Sequence, residues 1–168
     1  MNKDNLNTII LFVGLVLLQI AVLNNINFLG YINPFLYILF IFYYPIKKID
    51  TQFIFLSFFL GLAIDVFSNS GGINAAATLF IAFIRMPVLK SIIGKREIDY
   101  SAAHISKLPY YKAFLYIIIL TFVHHFIVFG LEYFKWNNFG IIIIKTFLTS
   151  IFTIILIMIS YTLIARKK

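Results

Sequence analysis

The sequence predicts an all-α integral membrane protein, a single polytopic domain over residues 1–168 with six transmembrane helices and both termini cytoplasmic. Three observations carry that expectation. The chain is 62% hydrophobic and 12% charged, with a mean hydropathy of +0.98; a soluble domain is roughly half apolar and about a quarter charged. So few charges cannot cover a water-facing surface. The apolar residues fall in runs long enough to cross a bilayer, and the basic residues fall between those runs with a one-sided bias.

The first run, 6–23, follows Lys3 and has no small-x-small cleavage site after it. It reads as a retained span rather than a signal peptide. As a helix it is about 27 Å long, close to the thickness of a hydrocarbon core. The second run, 28–46, is interrupted early by Gly30 and Asn33-Pro34, so its continuous part is short. The third and fourth, 53–67 and 73–92, are joined by the Ser/Asn/Gly turn at 68–72. The clean apolar part of the fourth ends at Arg85, and Pro87 disfavours helix at Met86. Residues 88–94 therefore either continue the span or lie along the interface. The fifth run is 113–131 and the sixth 139–165.

Orientation follows from the lysines and arginines, which collect on cytoplasmic loops. With the N-terminus inside, eleven fall on the inner side: Lys3, Lys47, Lys48, Lys90, Lys95, Arg96, Lys107, Lys112, Arg166, Lys167 and Lys168. Lys135 alone is outside, while Arg85 and Lys145 lie within spans. Tyr43, Tyr44, Tyr110, Tyr111, Tyr133 and Trp136 fall at the expected interfaces. The net charge of +8 is thereby absorbed. No basic patch interleaved with exposed aromatics is visible, so nucleic acid is not an expected partner. Zero cysteines exclude disulfides and thiolate metal sites.

The polar residues inside the spans are the candidates for function, because an ionisable group in lipid is costly. On the third span Ser57, Gly61 and Asp65 share one helical face; on the fourth, Ala75, Thr78, Ala82 and Arg85 share another. Small residues at such spacing let helix backbones approach closely in lipid. The two faces are expected to meet in a tight antiparallel hairpin turning at Gly71 and Gly72. An Asp65–Arg85 ion pair is excluded by depth, since the two lie about ten residues apart in distance from the turn, or about 15 Å of helical rise. Arg85 is expected to snorkel toward the cytoplasmic face or to be met by another helix. At the depth of Asp65 lie Lys145, Glu132 and, two turns deeper than Glu132, His125. These form an expected outer-leaflet polar layer, with Lys145 compensating Asp65 or Glu132. Lys145, Thr149, Thr153 and Ser160 form a polar stripe on the sixth span.

His124 and His125 point about 100° apart on a helix, which is poor geometry for one metal ion, and a structural role is expected. No nucleophile elbow, phosphate loop, zinc helix motif or carboxylate pair occurs. Neither a catalytic residue nor a cofactor is expected.

The stretch Gly61-Leu62-Ala63-Ile64-Asp65, followed by Ser68-Asn69-Ser70-Gly71-Gly72-Ile73-Asn74-Ala75, resembles the rod shape-determining protein MreD family, in a version like those of Bacteroidetes. The shared pattern is a Gly-Leu-x-x-Asp helix end, a short polar turn with glycine and a small-residue helix start. Ile84-Arg85-Met86-Pro87, the chain length, the six-span plan and the basic tail also resemble that family. The resemblance implies a non-catalytic scaffold in the bacterial cytoplasmic membrane. Its partners would be a single-span MreC-like protein, the actin-like MreB filament, and the SEDS glycosyltransferase with its transpeptidase. It also implies a fold like the substrate-binding subunits of energy-coupling-factor transporters. That kinship supplies the second reading, a small-solute binding subunit of a vitamin transporter. A membrane enzyme would require an unrecognised site around His125, Glu132 and Asp65.

Overall fold

The computed structural model describes residues 3–28, 32–46, 51–94, 105, 108–134 and 139–165. Many of the basic residues that set the expected orientation lie outside the described residues: Lys47, Lys48, Lys95, Arg96, Lys107, Lys135 and the 166–168 tail. Gly30 and Trp136 lie outside them as well.

Among the described residues the regular structure is helical: α1 (Lys3–Ala21), α2 (Leu39–Tyr43), α3 (Thr51–Ser68), α4 (Ile73–Ile93), α5 (Tyr110–Glu132) and α6 (Phe139–Ala165), with 3-10 turns at Leu23–Asn25 and Leu36–Ile38. Five of the helices are long and apolar enough to cross a membrane, and the chain is a multi-pass membrane protein. Its surface is that of a lipid-solvated bundle. Ile10 and Leu17 on α1, Phe83 on α4, and Ile144 and Phe147 on α6 are exposed, while Ser57, Thr78, Thr121, Thr146 and Thr153 are buried. Polar groups are inside because no water in the hydrocarbon can satisfy them.

The expected second transmembrane helix over 28–46 is not formed. In its place Phe28 and Ile32 make an isolated antiparallel bridge, residues 33–35 are non-helical, and helical turns cover only 36–43. The cause is local chemistry. Asn33-Pro34 blocks helix on one side, since proline forces its predecessor out of the α region, and Pro45 closes the other, with Tyr44 extended at ψ 134°. Irregular backbone at membrane depth survives only where protein surrounds it. Tyr37, Ile38, Phe40, Ile41 and Phe42 are accordingly buried to 1% or less exposure.

The remaining helices stack as antiparallel neighbours, α3 on α4, α4 on α5 and α5 on α6, with α1 against α3. The core gathers around the short segment: Tyr37, Phe40, Phe42 and Tyr44 pack with Phe53 of α3 and Tyr116 of α5. Helix α4 passes through Pro87 to Ile93, so residues 88–93 continue the helix rather than lying apart from it.

Candidate functional site

Helix α3 ends at the turn by a Schellman arrangement. Asn69 adopts the left-handed region (φ 53°), and the Ser70 N–H returns to the Asp65 carbonyl at 3.2 Å. Gly71 (φ 65°) and Gly72 (φ 93°) then reverse the chain in a conformation that side chains disfavour. Helix α4 begins immediately, leaving its first backbone N–H groups in need of acceptors.

Asp65 supplies them. Its carboxylate accepts from the Asn74 backbone N–H at 2.9 Å and the Ala75 backbone N–H at 2.8 Å. It also accepts from the Asn74 side-chain amide at 3.0 Å and from Ser70 Oγ at 2.5 Å. The neighbouring Ile73 and Ala76 N–H groups reach the Ser70 and Gly72 carbonyls. Every donor at the start of α4 is therefore matched. Favourable interaction with the positive end of the helix dipole adds to these bonds. Asp65 is 4% exposed, and its partners all come from the hairpin itself.

Gly61, one turn earlier on α3, makes this reach possible. A Cβ built on it would lie 2.5 Å from the Asn74 carbonyl oxygen and 2.6 Å from the Ala75 Cα. Backbone touches backbone here. Ala75 and Ala82, 2% and 3% exposed, continue the same seam down α4.

The pairing of Lys145 with Asp65 or Glu132 is not formed. Lys145 Nζ instead donates to the Tyr133 hydroxyl and sits over the Tyr133 and Phe129 rings. The physical reason is that Asp65 is already saturated by short bonds within its own turn. Glu132 is exposed at the end of α5. His125 lies apart from both: its Nδ1–H donates to the Thr121 carbonyl (2.7 Å), and its Nε2 accepts from Thr153 Oγ1 (3.1 Å).

Arg85 does not snorkel. It is 2% exposed and reaches the end of the short segment, donating to the carbonyls of Ile41 (3.1 Å), Tyr44 (3.4 Å) and Pro45 (2.9 Å). Its guanidinium lies 3.5 Å from the Phe53 ring centroid. A cation at helix C-terminal carbonyls, flanked by an aromatic face, is favourably placed on both counts.

Gln19 performs the matching task at the other end of the segment. Its side chain donates to the Pro34 carbonyl (3.0 Å) and accepts from the Tyr37 N–H (3.3 Å), while Thr153 Oγ1 accepts from the Phe35 N–H (3.1 Å). Gln19 was not singled out from the sequence, although it is a fully buried polar residue set in the apolar stretch 9–23 of the first run.

A directional chain of buried groups connects these parts. The Asn74 side-chain amide must donate to the carboxylate, so its Oδ1 faces and accepts from the Tyr37 hydroxyl at 2.9 Å. With its proton committed, Tyr37 accepts from His124 Nε2 at 2.9 Å, which fixes the Nε2–H tautomer. The other ring nitrogen, Nδ1, is buried with no hydrogen-bond partner. Phe35 packs against both histidine rings. This arrangement holds a core together, with no group of three potential metal ligands among the described residues.

Above the joint, at the end of the bundle that carries the 68–72 turn, is a cavity of about 460 Å³. Its polar wall includes Asn24, Asn33, Ser70, Asn74, Glu132 and Lys145; Ile20, Phe35, Phe67 and Phe129 contribute apolar surface. Fold and site together define an all-helical membrane protein with a capped hairpin and a polar cavity beside it. Comparison with protein families, curated proteins and solved structures finds no match to the chain.

Proposed function

We propose that this chain is a non-catalytic membrane scaffold of the MreD type, lying in the bacterial cytoplasmic membrane with both termini cytoplasmic. In this reading it holds an MreC-like single-span protein, and through it the MreB filament, beside the SEDS glycosyltransferase and its transpeptidase during side-wall peptidoglycan synthesis. The observation that carries the reading is the state of Asp65. The carboxylate of the family-like motif is occupied on both oxygens by the start of α4, and Gly61 presses backbone to backbone against Ala75. Such a joint fixes the angle between two helices and leaves no group poised for chemistry. A rigid bundle whose lipid-facing surface is free to meet other helices suits a scaffold.

The test is affinity purification in mild detergent with identification of the proteins that come with it. Recovery of an MreC-like protein is the expected result. Recovery of an ATPase pair with a transmembrane coupling subunit would overturn the reading. That outcome would favour the second one, a small-solute binding subunit with an energy-coupling-factor fold. The second reading draws on a single observation, the polar cavity, whose volume of about 460 Å³ falls among those of small-molecule sites.

A further inference from the structure

The cavity at the hairpin end carries two opposite charges that do not neutralise each other. Glu132 closes α5 and Lys145 opens the inward face of α6; both line the cavity. Lys145 donates to Tyr133, the residue after Glu132. Tyr133 is the non-helical residue that caps α5, and its hydroxyl, rather than the Glu132 carboxylate, is what Lys145 meets. Among the described residues neither charge forms an ion pair with the other. The start of α4, ordinarily an anion site, is closed by Asp65, so a ligand's negative group has Lys145 as its charged partner. Asn24 and Asn33 add uncharged polar surface to the cavity wall, and Phe67, 67% exposed, gives the cavity an apolar margin toward lipid.

We propose that this cavity binds a small zwitterion, with its ammonium at Glu132 and its anionic oxygens at Lys145, the chemistry of a phosphoethanolamine headgroup. The apolar margin suits a ligand whose remaining part stays in the bilayer. The pairing follows from geometry. Two unlike charges sharing one cavity without touching leave room for a ligand that carries both complements. A purely anionic or purely cationic ligand would engage only one of the two charges and forgo the second charge-assisted contact. This inference stands apart from the scaffold reading, since it concerns binding to the isolated chain and not the proteins that accompany it.

The experiment is thermal unfolding and calorimetric titration of the full chain in detergent with three probes. These are O-phosphoethanolamine, dihexanoyl phosphatidylethanolamine, and dihexanoyl phosphatidylglycerol as the anion without an amine. Binding of either ethanolamine probe, with little or none of the glycerol lipid, is the expected result. Binding of the lipid alone assigns the site to a headgroup, and equal binding of the free zwitterion assigns it to a soluble ligand. Glu132→Gln and Lys145→Gln should each weaken binding about tenfold, the loss of one charge-assisted contact. The double exchange Glu132→Lys with Lys145→Glu should bind better than either single reversal, because a zwitterion can turn round. Glu132 is exposed, so Glu132→Gln remains informative even if the Lys145 variants fold poorly. Absence of binding, equal binding of the glycerol lipid, or affinity unchanged within about twofold in Glu132→Gln would overturn the proposal.

Discussion

Replacing Gly61 by alanine tests the hairpin joint with one methyl group. In an unobstructed helix this change stabilises by about 1 kcal/mol through helix propensity. At Gly61 the added Cβ would stand 2.5 Å from the Asn74 carbonyl oxygen and 2.6 Å from the Ala75 Cα. Contacting carbon atoms sit about 3.5 Å apart, so α3 and α4 must separate by about 1 Å. Neither obstacle is a side chain that can swing away. Separation lengthens the bonds from Asp65 to the Asn74 and Ala75 N–H groups, now 2.9 and 2.8 Å, beyond good hydrogen-bond range. Overpacking costs about 1–3 kcal/mol, and weakening two bonds to a charged acceptor adds about 2 kcal/mol more. After the propensity gain, Gly61→Ala should lose about 2–4 kcal/mol, or about 4–16 °C in Tm by the scaling for chains of this length. Thermal unfolding in detergent followed by far-ultraviolet circular dichroism measures this. Gly14→Ala in α1, where a Cβ meets nothing within 4 Å, is the internal control and should be neutral or stabilising. If Gly61→Ala melts with Gly14→Ala, the close approach does not exist in the folded protein.

Substitutions at three other positions probe the remaining polar contacts. Asp65→Ala strips acceptors from two buried N–H groups and should destabilise by about 2–4 kcal/mol; Asp65→Asn, which keeps one acceptor oxygen, should fall between it and the parent in the same melting assay. Arg85→Ala leaves the Ile41 and Pro45 carbonyls unmatched and should cost about 2–4 kcal/mol. Arg85→Lys, lacking the planar fork, should recover only part of that, and full recovery would show that charge alone is needed. Tyr37→Phe removes the link between Asn74 and His124 and should cost about 1–3 kcal/mol, read as a lower Tm with unchanged helix content.

Helices α1 and α3 to α6 could be placed from the sequence because each is a self-sufficient apolar run whose backbone bonds are internal. The hairpin was legible for the same kind of reason. Helical spacing puts Gly61 and Asp65 on one face and Ala75 and Ala82 on another, and the turn residues announce themselves. Residues 28–46 were different. Their hydropathy matches a span, and Asn33-Pro34 and Pro45 mark where helix stops, but the backbone groups so freed are satisfied by Gln19, Arg85 and Thr153, which come from three other helices. Nothing within the segment encodes those partners. The donors to Asp65 illustrate the same limit at shorter range. Charge counting directed attention to Lys145, whereas backbone N–H groups nine and ten residues along the chain were the partners. Backbone donors have no letter in a sequence.

The dependence of residues 32–46 on distant helices has a consequence for how the protein is made. As the chain leaves the ribosome this segment emerges after α1, which brings Gln19, but before α4 and α6, which bring Arg85 and Thr153. Until they arrive, the carbonyls of Ile41 and Pro45 and the N–H of Phe35 have no protein partner, and lipid offers none. The segment therefore cannot settle across the bilayer in its order of synthesis. It must wait in water or within the insertion machinery while the four later helices enter. The first half of the molecule acquires its final topology only when the last helix is in place.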